Sequence, residues 1–481
     1  MGALCYDCWA LVRVRYLRTE RSRTVPTQSL LQADGIVVGS GPGGATVARE
    51  LARRGWRVLL LERGADHRGR PYYGTYLGAL LYTDRRSLLF TQEGLNIIRP
   101  LMVGGATSMY CGCAAPPPPW LKARYGVDIT QEVAETMEEL GIAPLPAELR
   151  GAASTRIAQA AQALGYDWQP QLKFMRPDRS RAFRCRATCM LGCRCGAKWN
   201  AAEYVEEAVA AGARLLTRAR VDRVLIEDGQ AIGVEGRLRG RPFVARASTV
   251  VLAAGGIGTP RILQASGFRE AGVGMTMDTT VMVYGFVREQ GIGNEPPMTW
   301  SWEDPEAGYM LSTLIDPWLN YPLVMARQGW RALLSWTRWN HILGVMIKLK
   351  DEVSGGVFPD GRISKPMTAR DRERLAAARE VCRRILVEAG ADPSEILMTP
   401  LRGTHPSGTV RIGAMLDRNL QTEVGGLYVC DASVFPEALG RPTVLTIIGL
   451  GKRLAKHLAG GADAHGGSVE GTGALSPPAA G

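Results

Sequence analysis

Ala33-Asp34-Gly35-Ile36-Val37-Val38-Gly39-Ser40-Gly41-Pro42-Gly43-Gly44 is a short apolar run that breaks into a glycine-rich turn. Ala45 to Arg54 follows with small and apolar residues at helical spacing, and Val58-Leu59-Leu60-Leu61 then closes on Glu62. Strand, glycine turn, helix and second strand predict a βαβ unit, and therefore parallel strands. Gly39, Gly41 and Gly44 have the G-x-G-x-x-G spacing. The first glycine permits a tight turn, the second lets a pyrophosphate approach the backbone, and the third lets the helix pack on the strand. The helix N-terminus then offers partial positive charge to phosphate. Glu62, ending the second strand, is placed to accept hydrogen bonds from ribose hydroxyls. The spacing suits a dinucleotide without separating FAD from NAD.

Further along, Val221 to Gly236 reads as a hairpin turning at Glu227-Asp228-Gly229. Thr249 to Ala254 is a fully apolar strand closed by Gly255-Gly256. Past residue 276 the composition changes, and six of the eleven tryptophans fall between Trp300 and Trp339. Leu323 to Trp339, punctuated by Arg327, Arg331 and Arg338, reads as an amphipathic helix with basic flanks. Thr368 to Gly390 is a helical pattern with an apolar stripe through Leu375, Ala378, Val381 and Ile385, a threonine N-cap and a glycine stop.

These patterns divide the chain into a basic leader (1–32), a first nucleotide-binding part (33–275), a substrate part (276–399), a returning nucleotide-binding part (400–458) and a disordered Gly/Ala/Ser/Pro tail (459–481). At 481 residues the chain has about three domain-lengths and ample apolar content for a large core. The net charge of +12 is dispersed, which suits a solvated basic surface or an anionic partner. No nucleic-acid motif accompanies it, and nucleic acid is excluded as the partner. No stretch offers ~20 uninterrupted apolar residues, and Met1 to Val14 makes a poor signal peptide. Ten cysteines in a large chain of this kind predict reduced thiols and a cytoplasmic setting, with peripheral contact at the inner membrane surface as a further option.

Chemistry enters at His405-Pro406-Ser407-Gly408-Thr409, whose histidine is one of only five. Together with the Gly39 turn, three more stretches make the chain resemble the glucose–methanol–choline oxidoreductase family. They are Val103-Gly104-Gly105-Ala106-Thr107-Ser108, Ala253-Ala254-Gly255-Gly256-Ile257-Gly258-Thr259-Pro260, and Gly426 to Pro436 through Asp431. The resemblance spans residues 33–458. It implies an α/β fold: an FAD-binding Rossmann-like domain with a parallel sheet, and a substrate domain on an antiparallel sheet. By the same resemblance Gly39, Gly41, Gly44 and Glu62 hold the ADP half of FAD, and Gly104, Gly105 and Thr107 line the isoalloxazine side. Val221 meets the adenine region through its backbone, and Asp431 lies near the ribityl-pyrophosphate. His405 takes the place at the reactive face, where an imidazole accepts a hydroxyl proton as hydride leaves carbon for flavin N5.

The chain also departs from that family. Tyr110 and Cys111 stand where an Asn is usual after the second glycine turn. In Gly440-Arg441-Pro442-Thr443, Arg441 replaces an Asn before proline and Thr443 falls near the usual second catalytic position. Threonine can hydrogen-bond a substrate oxygen but is no base, and arginine can offset charge on a reduced flavin. Cys185, Cys189, Cys193 and Cys195 crowd eleven residues. They read as packed thiols or, alternatively, as a metal or iron–sulfur cluster, although the spacing matches no usual set. The tryptophan-rich stretch reads as core packing, as a membrane-interface patch or as a wall for a bulky substrate; both functional readings favour a hydrophobic alcohol over a sugar. Nothing in the residues selects among oxygen, a quinone and a protein carrier as electron acceptor. Two other uses of the same residues stay open. One is a lyase or isomerase keeping FAD without redox turnover. The other is a flavin-containing electron-transfer or assembly subunit docking a partner through the cysteines and tryptophans.

Overall fold

A computed structural model describes residues 29–464. The leader up to residue 28, with Cys5 and Cys8, and the tail from residue 465 lie outside the described residues. Ile36-Val37-Val38 and Val58 to Leu61 are buried throughout, as strands covered on both faces must be. They form the middle of a five-stranded parallel sheet in the order Leu427–Val429, Thr249–Leu252, Gly35–Val38, Val58–Glu62, Arg214–Thr217. Helix Pro42–Arg53 follows the glycine turn and packs against the long C-terminal helix Val444–Ala464. Glycine makes that approach feasible: a Cβ added at Gly451 of the C-terminal helix would lie 2.9 Å from Thr46 Cβ.

The predicted hairpin is strands Ala219–Glu227 and Gln230–Leu238, turning through Asp228 and Gly229, both with positive φ. Arg241–Arg246 extends that sheet, and Ser29–Gln32 runs parallel to it as the edge strand. Residues 29–32, read from sequence as the end of a loose leader, are therefore ordered into a sheet. Leu31 supplies the reason, since it packs on the main core while Leu30 faces solvent. Likewise the last helix runs on to Ala464, past the expected tail boundary at 459, because the buried Leu454 and Leu458 anchor its final turns.

The second layer is a larger sheet. At its centre Thr280–Phe286, Ile342–Leu349, Tyr309–Thr313 and Trp300–Asp304 pair antiparallel. Helix Ala369–Glu388 covers it, opened by a capping box between Thr368 and Asp371. Of the stripe read from sequence the helix buries Ala378, Val381 and Ile385, with Cys382 and Leu386 beside them, while Leu375 is half-buried at the edge of the same core. Helix Ala152–Ala163 buries Ile157, Ala158 and Ala161 in this same core. A boundary at 275 therefore separates the central strands but not the layer, because a small-residue helix face from the earlier part docks on the later sheet.

Leu323 to Trp339 is not one helix. Helix Asn320–Met325 and a short 3-10 turn end at Gly329, whose φ of +100° no continuing helix can hold, and Trp330–Leu334 starts anew. Among the described residues no helix is long and apolar enough to cross a membrane.

Candidate active site

The glycine turn is held by side chains as well as by backbone. Glu62 Oε2 accepts from Ser40 N at 3.0 Å and from Ser40 Oγ at 2.6 Å, and Oε1 accepts from Gly64 N at 2.7 Å. The carboxylate expected at the ribose thus also staples the turn. Gly39 has φ +105°, and an added Cβ would sit 2.2 Å from the Ala253 carbonyl oxygen. Nothing lies within 4 Å of a Cβ placed on Gly41, so that face is open to a ligand. The second turn, with Gly104 and Gly105 at positive φ, lies directly beside the first. Gly104 N donates to Ser40 Oγ at 3.3 Å, and a Cβ on Gly105 would be 2.9 Å from Gly41 Cα. Thr107 Oγ1 closes this turn by donating to the Gly104 carbonyl at 2.6 Å.

Asp431 ties the third motif to the fourth. Its carboxylate accepts from Gly255 N (2.8 Å), Thr259 Oγ1 (2.5 Å) and Ser433 N (2.7 Å), while burial pushes its pKa up. Among the described residues the space over Gly41 is open where the two glycine turns meet, which suits a polar cofactor spanning both. Val221 is buried at an irregularity in the hairpin, four residues beyond Thr217, which pairs with Glu62.

His405 sits on a loop clamped to that nucleotide-side frame. A Cβ on Gly256 would touch the Pro406 carbonyl at 2.0 Å, and Thr409 Oγ1 donates to the Gly256 carbonyl at 2.9 Å. His405 Nδ1 lies 2.7 Å from Asp278 Oδ2, with the imidazole 27% exposed and Asp278 only 1%. Asp278 Oδ1 accepts from Gly440 N at 3.0 Å. Asp278 itself adopts a left-handed φ of 46°. Buried Asp351 holds it there from both sides, accepting from Met277 N (3.0 Å), Thr279 N (3.1 Å) and Thr279 Oγ1 (2.6 Å). Lys348 completes the group, donating from Nζ to Thr404 Oγ1 at 3.1 Å. Burial pushes the His405 pKa down and the Lys348 charge adds to this, against the pull of Asp278. A carboxylate at Nδ1 selects the tautomer that leaves Nε2 as the acceptor.

Sequence reading missed Asp278, Asp351 and Lys348. The buried Asp278 in Met277-Asp278-Thr279-Thr280, immediately before an apolar strand, carried the one usable signal. It also missed Asn200, which reaches the second turn by donating from Nδ2 to Ser108 Oγ at 3.1 Å.

Other expected residues are placed differently. Arg441 gives its guanidinium to Glu303 Oε1, at 2.6 Å from Nη2 and 3.2 Å from Nε, and to the Pro116 carbonyl at 3.2 Å. Its charge is met by a carboxylate on strand Trp300–Asp304 rather than directed at His405. Thr443 is buried one residue ahead of the C-terminal helix, three residues beyond Gly440, which contacts Asp278. Of the cysteines, Cys193 and Cys195 have sulfurs 3.8 Å apart, and Cys185 and Cys189 are buried beside Leu145 and Met175. Among the described residues no three His, Cys, Asp or Glu side chains are arranged to hold a metal ion. The thiol of Cys189 is pushed up to about 11, chiefly by Cys185, as suits packed neutral thiols. Lys198, closing this motif, donates to the Tyr110 and Cys189 carbonyls at 2.5 and 2.7 Å and so binds the cysteine loop to the stretch after the second glycine turn.

Comparison with known proteins agrees with this layout. A Rossmann-like NAD(P)-binding model matches residues 37–85, and the two GMC oxidoreductase models match residues 97–281 and 358–451. An uncharacterised GMC-type oxidoreductase of Mycobacterium tuberculosis is 32% identical over 260 residues, covering 50% of this chain; the chain spans 40% of that relative's length. An uncharacterised protein of Methanocaldococcus jannaschii is 28% identical over 88% of this chain and 99% of its own. A long-chain-alcohol oxidase of Arabidopsis thaliana is 24% identical over 87% of this chain and 66% of its own. Among solved structures, pyridoxine 4-oxidase from Mesorbium loti shares the fold at a TM-score of 0.65, with 17% identity over 88% of this chain and 98% of its own. Two family models, met in order along one chain and folded around one histidine loop, make this protein a member of the GMC oxidoreductases, an FAD-dependent oxidoreductase family.

Proposed function

We propose that the protein oxidises the CH–OH group of a hydrophobic alcohol, with His405 as the base. The observation that carries this reading is the 2.7 Å pair between His405 and buried Asp278, on a loop clamped to the glycine-rich frame. The Arabidopsis relatives named long-chain-alcohol oxidases support the substrate class.

Gly39, Gly41, Gly44 and Glu62 would hold the ADP half of the cofactor, with Val221 at the adenine. Gly104, Gly105 and Thr107 would flank the ring, and Asp431 would fix the junction between turns. When bound, FAD supplies the acceptor for a hydride and its two electrons. The alcohol O–H breaks as its proton passes to Nε2 of His405, the C–H bond gives up its electron pair, and C=O forms. Asp278 holds the ring in the accepting tautomer and offsets the charge that the imidazole gains. A base kept neutral by burial and by Lys348 is ready to accept at and below neutral pH. Thr443, beside the Gly440–Asp278 contact, would hydrogen-bond the substrate oxygen.

The test is anaerobic titration of the purified protein with long-chain and terpenoid alcohols, following the visible flavin spectrum. Bleaching by an apolar alcohol is expected. His405→Ala should retain flavin but slow bleaching at least ~100-fold. A flavin left oxidised by every alcohol would instead favour the non-redox or electron-transfer readings.

A further inference from the structure

Seventeen large apolar side chains stand exposed among the described residues, and twelve of them fall within residues 77–98 and 318–334. Those two segments are far apart in sequence and joined in space. Leu319 N donates to Tyr76 Oη at 3.3 Å, Arg327 donates to the Gly94 carbonyl at 3.3 Å, and the Arg327 guanidinium lies 5.9 Å from the Phe90 ring centre. The result is one apolar surface, with Leu81, Leu88, Leu323 and Trp330 each more than half exposed. Monomeric soluble proteins rarely leave so concentrated a patch without a use.

Arginine dominates the charge around it, although Arg338 is paired with Glu395 at 2.8 Å. Residues 317–341 contain three arginines and no carboxylate. Arg85 and Arg86 are exposed and, among the described residues, form no salt bridge with a carboxylate. Of the two acids of the first segment, Asp84 pairs with Arg99 at 3.1 Å, while Glu93 keeps its charge and is turned to Lys365 N at 2.8 Å and Ser364 Oγ at 2.5 Å. Leucines and tryptophans within an arginine rim are complementary to the acyl and headgroup layers of an anionic bilayer.

We propose that this surface binds the face of an anionic phospholipid bilayer without crossing it. The patch also adjoins the catalytic loop. Strand Leu89–Phe90 pairs with Asn96–Ile97, which pairs with Arg402–Gly403, two residues before His405. Asp316, immediately ahead of the second segment, grips Arg402 through two bonds of 2.5 and 2.6 Å. Resting on the proposed alcohol chemistry, this contiguity makes the bilayer the reservoir from which an apolar alcohol is taken.

The experiment is co-sedimentation of the FAD-loaded protein with vesicles of phosphatidylcholine alone and of phosphatidylcholine mixed with phosphatidylglycerol. Pelleting with the mixed vesicles, weakened by salt, is expected. The double change Arg85→Ser with Arg86→Ser should weaken partition about 10- to 30-fold. Leu81→Ser with Leu323→Ser should abolish it at the same ionic strength. Flavin content and circular dichroism, which neither pair should alter, report the fold. Recovery of the native protein in the supernatant of mixed vesicles would overturn the proposal. So would equal pelleting of all variants, or a dimer on gel filtration that Leu81→Ser with Leu323→Ser dissociates, since a second copy would then cover the face. Partition is read without turnover, so its failure leaves the alcohol chemistry untouched, and a missing alcohol activity leaves the bilayer contact standing.

Discussion

The turn at Gly39 and the loop at His405, the two halves of the proposed site, are built by opposite means. At Gly39 the essential groups are backbone: a positive φ, a carbonyl 2.2 Å from where any Cβ would go, and an open face at Gly41. At His405 they are side chains, and the decisive partner is 127 residues away in sequence. The backbone turn tolerates almost no added atom, and its one carboxylate, Glu62, is spent on fastening it. A site made of paired side chains tolerates changes of shape yet is tuned by every neighbouring charge.

That contrast is tested most severely at the glycine. Gly39→Val adds two methyl-bearing branches where one carbon already collides, at a φ that a β-branched residue avoids. Bound flavin per protein should fall by at least ~10-fold in any protein that folds, read from the visible absorbance. Full flavin occupancy would break the claim that this turn is sterically closed.

Asp278→Asn probes the other half and should leave flavin content intact. The ring loses the carboxylate that fixes its tautomer, and flavin reduction should slow at least ~10-fold and up to ~10⁴-fold, the loss known when an Asp orienting a general-base histidine becomes Asn. A merely structural role would not move the pH profile, whereas this change should. Asp278 raises the His405 pKa, so losing its charge lowers that pKa further. The base then remains deprotonated to lower pH, and the acid limb of kcat/KM shifts downward. Lys348→Met should do the reverse. The ammonium holds the imidazole pKa down, so its removal lets that pKa rise and moves the acid limb upward, with a change at the plateau of less than about 10-fold. Two acid limbs displaced in the same direction would separate His405 from the titration altogether.

The two halves also differ in how far they could be read beforehand. The βαβ start, the hairpin with its Asp228-Gly229 turn and the capped helix Ala369–Glu388 all rest on spacings of a few residues, and each was legible. His405 was singled out as a candidate because its loop has a motif around it. Asp278 was not: its role depends on Asp351 holding it in a left-handed conformation and on strand pairing that aligns Thr280 with Lys348 and with Arg402. Such pairings are non-local, and no short pattern records them. The tryptophan-rich stretch shows the opposite error. Its helical periodicity was real on both sides of Gly329, and a single glycine at φ +100° outweighed it. The apolar helix Tyr76–Tyr82 that completes the exposed surface carried no aromatic–arginine signature of its own and went unread.

Arg441 gives the finest division between the two halves, because sequence position recommends it and geometry redirects it. It follows Gly440, whose N–H binds Asp278, so its backbone adjoins the His405–Asp278 pair. Its side chain belongs elsewhere, spent on Glu303 at 2.6 Å and on the Pro116 carbonyl. An arginine already neutralised by a partly exposed carboxylate has little field left for a developing negative charge, and such a pair contributes only about 0–1 kcal/mol to stability. Arg441→Gln should therefore alter flavin reduction by less than about 3-fold and lower the melting temperature by only about 1–3 °C. A loss near ~100-fold at full flavin content would return Arg441 to the reacting centre, in the charge-offsetting role its place in the sequence suggests. Glu303→Gln would then be expected to speed the reaction by freeing that charge, whereas a purely structural pair predicts the same slight loss of stability from either side.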